Sequence, residues 1–172
     1  MILTPNTQTN LYGHDDEFNN LIKLVNNDKL PNKILLSGQK GIGKSTLAYH
    51  LINFILSKDE EFSYNLDNFS INSKNRSFKL LVNGSNPNFY LVDVNFEKKS
   101  IDINQIRNLI NNLKKSSFKS KPRFILIDNI EALNLNSVNA LLKILEEPND
   151  NIFFILINNN KKVKQTLLSR CL

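Results

Sequence analysis

Short, uninterrupted apolar runs alternate along this chain with stretches in which apolar residues recur every three or four positions. The runs Ile34-Leu35-Leu36, Phe89–Val94, Phe124–Ile127 and Ile152–Ile157 are bounded by polar or turn residues and predict strands. Phe124–Ile127 ends in Asp128 and reads as a strand buried on both faces. Helical spacing appears at Phe18, Leu21, Ile22 and Val25, behind the candidate cap His14-Asp15-Asp16. It returns at Leu47, Ala48, Leu51, Ile52 and Ile55, predicting a helix to about Leu56. A third helix carries Ile103, Ile106, Ile110 and Leu113. Asp102 stands before it with Gln105 three residues on, the arrangement of a capping box. A fourth carries Leu135, Val138, Leu141, Leu142 and Leu145 and must stop before Pro148. Lys161 to Arg170 also reads as helical. Strand and helix alternation predicts an α/β class with a mostly parallel sheet covered on both faces, a three-layer α/β/α unit.

Residues 57–85 break the pattern. Asp, Asn, Ser and Lys mix there with isolated aromatics, no period is sustained, and a short helix near 59–66 is the most that the spacing offers. Residues 1–13 read as an extended lead-in, and Ser116 to Pro122 as a basic loop.

The first predicted strand runs into Gly38-Gln39-Lys40-Gly41-Ile42-Gly43-Lys44-Ser45, followed by Thr46 and an amphipathic helix. Every fixed position of G-x-x-x-x-G-K-[ST] is met in the strand–loop–helix setting that a phosphate-binding loop requires. Glycines let successive N–H groups turn inward on phosphate oxygens. The helix start adds free donors and the positive end of its dipole. The expected roles are Lys44 on the β- and γ-phosphates of a nucleoside triphosphate and Ser45 on Mg2+. A glycine-rich turn with an incidental lysine is the plainer alternative, and the flanking elements speak against it.

Composition changes this picture little. With 172 residues and 41% hydrophobic content the chain suits one domain with a real core. No apolar run approaches the ~20 residues that cross a bilayer. The opening Met1–Thr7 lacks a basic segment followed by an apolar core, so a cytoplasmic address without a membrane partner is expected. A single cysteine, Cys171, excludes an internal disulfide and a four-cysteine zinc module. The formal charge of +6 fits work near nucleic acid. Its lysines are scattered, however, and the Asn and Ile excess equally reflects gene composition.

Parallel α/β sheets bind ligands at the C-terminal ends of their strands, where Asp128 stands as a candidate Mg2+ ligand. The next residue is Asn129, where many ATPases of this type carry a Glu that polarises water. An amide cannot take up that proton. Glu131 reads as a solvated helix-start acid. Asn158 reads equally as a γ-phosphate sensor and as a turn residue in an Asn-rich chain.

The Gly38–Ser45 loop, Ile125–Asp128, the segment Ala140-Leu141-Leu142-Lys143-Ile144-Leu145-Glu146-Glu147-Pro148 and Ser169-Arg170-Cys171 resemble, in this order, AAA+ clamp-loader subunits. Leu11-Tyr12-Gly13-His14 and Asn86-Pro87-Asn88-Phe89 resemble the delta-prime class of bacterial DNA polymerase III. The resemblance implies an AAA+ P-loop domain with Gly38–Thr46 around the triphosphate, Asp128 and Ser45 on the metal, and Asn158 as sensor 1. It makes Arg170 an arginine finger offered in trans to a neighbour's ATP. Implied partners are the motor and delta subunits, with the sliding clamp and primer-template DNA reached through the assembly. Asn129 favours the delta-prime class, with weak or no ATPase of its own. A motor subunit that hydrolyses ATP, and a scaffold with a vestigial nucleotide site, are the alternatives. The zinc-binding cysteines of many such subunits are absent, and residues 57–85 stand in their place. The family continues past Ser-Arg-Cys into a lid and a collar, so residues 1–172 are expected to be its AAA+ domain alone, as a fragment or a truncation.

Overall fold

The computed structural model describes residues 4–94, 99–114, 121–146 and 151–169. Their order is α1 (Asp15–Asn26), β1 (Lys33–Ser37), α2 (Lys44–Leu56), α3 (Arg76–Val82), β2 (Phe89–Val92), α4 (Ile103–Leu113), β3 (Arg123–Ile127), α5 (Leu135–Glu146), β4 (Ile152–Asn158) and α6 (Gln165–Leu168), with a 3-10 turn at Ile130–Ala132. They gather in two compact units. One joins the residues up to Leu30 with Gly41–Asn86, and the other joins Pro31–Lys40 with the residues from Pro87 onward.

The second unit holds the sheet. Its four strands are all parallel, in the order β1-β4-β3-β2. The central strand β3 is buried along its whole length, and Phe124, Ile125, Leu126 and Ile127 are each 0% exposed. An uninterrupted apolar run is the expected signature of such a strand, because neither face meets water. β2 stops at Val92 rather than the predicted Val94. Asp93 ends it by turning its own carboxylate onto the Val94 N–H, at 2.6 Å, in place of a ladder bond.

Ile106 and Leu109 of α4 and Leu141 and Leu145 of α5 are fully buried in one core with Ile125, Ile127, Phe154 and Leu156. The capping box predicted for α4 is present: Asp102 accepts from the Asn104 and Gln105 N–H groups, and Gln105 returns a bond to the Asp102 N–H. Asn134 does the same service for α5 by accepting from Ser137 N at 2.9 Å. The predicted helix from Lys161 shrinks to the four residues of α6.

The first unit is built on α2. Phe18 of α1 lies edge-on to the rings of His50, Phe54 and Phe69 and tilted against Tyr64. No helix forms at 59–66. The side chain of Asn65 accepts from Asp67 N, and its backbone pairs with Ser70 in a tight reversal, so the chain turns back on itself there. The helix of this region lies later, at α3, capped by Asn75, whose oxygen accepts from Phe78 N at 2.7 Å. A seven-residue helix with only Ser77 and Leu81 buried shows too little periodicity to be read from sequence.

Candidate nucleotide site

The phosphate-loop sequence spans the end of β1 and the start of α2. Gly41 and Gly43 take φ of 87° and 95°, in the left-handed region that a side chain resists. Gly43 is the N-cap residue of α2, makes no side-chain cap, and is followed by a first turn without acidic residues. Lys44 opens the helix and is only 6% exposed, while Ser45 and Thr46 are half-buried. A Cβ at Gly41 would meet nothing within 4 Å. Open space at Gly41, two positive-φ glycines and a first turn without acidic residues suit an anionic group such as a phosphate. Gln39, Lys40 and Ile42 are exposed.

On the sheet unit, the C-terminal strand ends meet at one edge. Gly38 N donates to the Asn158 carbonyl at 3.2 Å, and the Asn158 amide donates to Ser37 Oγ at 3.4 Å. Asn158 is the last residue of β4. Its side chain also closes a turn with Lys161, accepting from Lys161 N and donating to Lys161 O. The predicted sensor therefore lies beside the start of the phosphate loop and holds a turn at the same time. Asp128 follows β3, and its carboxylate accepts from Asn129 N at 2.7 Å.

Asn129 carries the most information. It sits in the left-handed region, with φ of 56°. Its Nδ2 donates to Asp93 Oδ1 at 2.7 Å, and its Oδ1 accepts from Asn159 Nδ2 at 2.7 Å. Asn159 also donates to Glu131, from its side chain at 3.1 Å and from its backbone N–H at 3.3 Å. Glu131 is thus a bound acceptor and not the solvated acid that its position suggested. The chain Asp93–Asn129–Asn159–Glu131 ties the ends of β2, β3 and β4 together. Asp93, Asn129 and Glu131 line a cleft of about 590 Å³ with Lys40, Lys99 and Lys161 on its walls. Asp93 and Asn159 escaped the sequence reading. Asp93 looked like strand interior, and Asn159 lay hidden in a run of three asparagines whose neighbours alternate in direction.

Arg170 lies outside the described residues, as do Glu147 and Pro148 of the Leu-Glu-Glu-Pro segment. Among the described residues, no helix is long and apolar enough to cross a membrane, and no group of three or more His, Cys, Asp or Glu side chains could hold a metal.

The family described as "DNA polymerase III, delta subunit" matches residues 13–172. The chain belongs to that family. Its sequence relatives include the DNA polymerase III subunit delta' of Pseudomonas aeruginosa, 29% identical over 80% of this chain and 40% of the relative. The delta' subunit of Buchnera aphidicola subsp. Schizaphis graminum is 29% identical over 90% of this chain and 45% of its own length. The gamma/tau subunit of Mycoplasma genitalium is 30% identical over 88% of this chain and 24% of the relative. The chain therefore spans less than half the length of these curated relatives. Among solved structures, a DNA polymerase III gamma subunit-related protein of Thermotoga maritima superposes with a TM-score of 0.61 at 17% identity, over 91% of this chain and 44% of that one. The clamp loader delta protein of Bacillus subtilis superposes with a TM-score of 0.50 at 12% identity, over 88% of this chain and 39% of its own. These neighbours share the α/β fold expected from the clamp-loader resemblance.

Proposed function

We propose that this member of the DNA polymerase III delta subunit family is a delta-prime-type clamp-loader subunit that binds ATP and hydrolyses it weakly or not at all. Gly38–Thr46 would hold the triphosphate and Ser45 and Asp128 the Mg2+, with Asn158 sensing the γ-phosphate. Arg170 would be presented to the ATP of an adjacent motor subunit, where a planar guanidinium meets developing charge on the γ-phosphoryl oxygens. Motor and delta subunits are the direct partners on this reading, and the sliding clamp and primer-template DNA are reached through them in DNA replication.

The observation that carries the reading is the bonding of Asn129. The residue after the candidate metal ligand is an amide, with its donor and its acceptor both engaged by Asp93 and Asn159. Such a group neither accepts a proton nor moves readily to orient water. Gamma-type relatives of similar identity keep a motor-subunit reading in play. Asn129 weighs against it, as it does against turnover by this chain alone.

The test uses the full-length protein assembled with its partner subunits. Arg170→Ala is expected to lower the clamp-stimulated ATPase by a factor on the order of a thousand, while a fluorescent ATP analogue still binds this subunit. An unchanged ATPase removes the finger from the account. Steady-state turnover by this chain alone, abolished by Lys44→Ala, would instead establish the motor reading.

A further inference from the structure

His14 immediately precedes α1, where a capping side chain ordinarily accepts from first-turn N–H groups, yet it makes no such bond. Its ring reaches 28 positions along the chain, and Nε2 lies 2.6 Å from the carbonyl oxygen of Ile42, inside the phosphate loop. A carbonyl only accepts, so Nε2 carries the proton in this contact, whether the ring is neutral or charged. Glu17 stands 3.9 Å from Nδ1 on the ring's other edge.

The contact leaves its mark on Gly43. A Cβ there would come within 3.0 Å of His14 Nε2 and 3.3 Å of its Cδ2, quite apart from the strain that a φ of 95° imposes. The glycine before Lys44 is therefore required twice, once for its backbone and once to admit the imidazole.

We propose that His14 is a positioning residue for nucleotide binding, latching the peptide between Ile42 and Gly43. A peptide unit is planar and trans, so its N–H points opposite to its C=O. Holding the Ile42 oxygen against the ring fixes the Gly43 N–H in the reverse direction, away from His14. That donor belongs to the loop whose N–H groups the nucleotide reading assigns to phosphate oxygens, and the inference rests on that reading. Without the latch this peptide is free to flip, and the donor must be reoriented each time a phosphate binds.

The test compares wild type, His14→Ala and His14→Gln in the full chain, titrated with a fluorescent ATP analogue and Mg2+. Backbone 15N relaxation dispersion at Gly43 is followed without nucleotide, because it reads a peptide that exchanges between orientations. His14→Ala is expected to weaken binding about tenfold and to raise the dispersion at Gly43. His14→Gln, whose side-chain N–H can reach the same carbonyl, should restore most of both. Tight binding by His14→Ala, or failure of Gln to rescue, overturns the proposal. If the wild type itself binds no analogue, the nucleotide reading falls. Gly43 dispersion still decides the latch in that case: an unchanged profile in His14→Ala refutes it, and a raised profile restored by Gln upholds it.

Discussion

Helices α2 and α4 each follow a strand in the chain, and they complete their first turns in opposite ways. α4 is closed by its own residues, since the Asp102 carboxylate accepts two of its leading N–H groups and Gln105 bonds back. α2 has a glycine for a cap, no side-chain cap bond and no acid in its first turn, with a lysine in the leading position. One helix start is closed by a carboxylate of its own, and the other places a lysine at the positive end of the helix dipole with no acid beside it in the first turn. The bodies differ as well. α4 buries Ile106 and Leu109, whereas α2 buries His50 and Asn53 among its leucines and isoleucines. On the function proposed above, α2 would meet a ligand at its start, and its buried His50 and Asn53 bond Tyr64 and Asn75 further along.

The largest effect expected from this contrast is at Lys44. Lys44→Ala should weaken binding of a fluorescent ATP analogue by roughly a thousandfold, because a cation and its charge-assisted hydrogen bonds are lost together. Alanine is a good helix former, so circular dichroism should show an intact fold. Equal binding by the variant would mean that the open end of α2 is not a phosphate site.

A second effect separates the bodies of the two helices by pH. His50 is completely buried, with Nδ1 2.7 Å from the Tyr64 hydroxyl and Nε2 3.1 Å from the Gln8 carbonyl. The carbonyl requires the proton on Nε2, so Nδ1 accepts from Tyr64. Desolvation lowers its pKa to about 4, against a smaller opposing contribution from the Gln8 carbonyl, and burial also pushes Tyr64 upward. The neutral ring is the form that the fold selects. Its contribution to stability is therefore fully present above about pH 6.5 and drains away as pH falls towards about 4, where the unfolded chain takes up a proton that the folded one refuses. The loss should reach about 3 kcal/mol across that window. Urea unfolding of wild type and His50→Gln at several pH values measures it. Parallel pH profiles for the two proteins would remove His50 as the cause.

Legibility in the sequence followed burial and periodicity. Strands β3 and β4 stood out because each buries an almost continuous run, and helices α1, α4 and α5 because each buries residues of one face. β1 and α2 were legible from their apolar residues, although β1 buries only Ile34 and α2 is buried on most sides. The turn between β1 and α2 was legible because Gly41 and Gly43 take the left-handed backbone that glycine adopts most readily. What stayed hidden depends on side chains meeting across the chain. His50 and Tyr64 are 14 residues apart, Asn53 and Asn75 are 22 apart, and Asp93 and Asn129 are 36 apart. In a chain this rich in asparagine no single one announces a partner. The same holds for His14, which looked like part of a helix cap and instead bonds the carbonyl of Ile42.

The smallest effect tests the closed end of the comparison. Asp102→Ala removes the acceptor for Asn104 N and Gln105 N, while the backbone N–H at position 102 can still donate to Gln105 Oε1. A lost cap of this kind costs about 1 kcal/mol, read as a lower urea midpoint with an unchanged slope. Because α4 starts with its own carboxylate in place, no ligand site should depend on it, and nucleotide affinity should stay within about twofold of wild type. The pairing of results decides the argument: Lys44→Ala should move affinity and spare stability, whereas Asp102→Ala should move stability and spare affinity. If both variants shifted both quantities alike, the two helix starts would be equivalent scaffolding, and the case for a ligand at α2 would lose its physical basis.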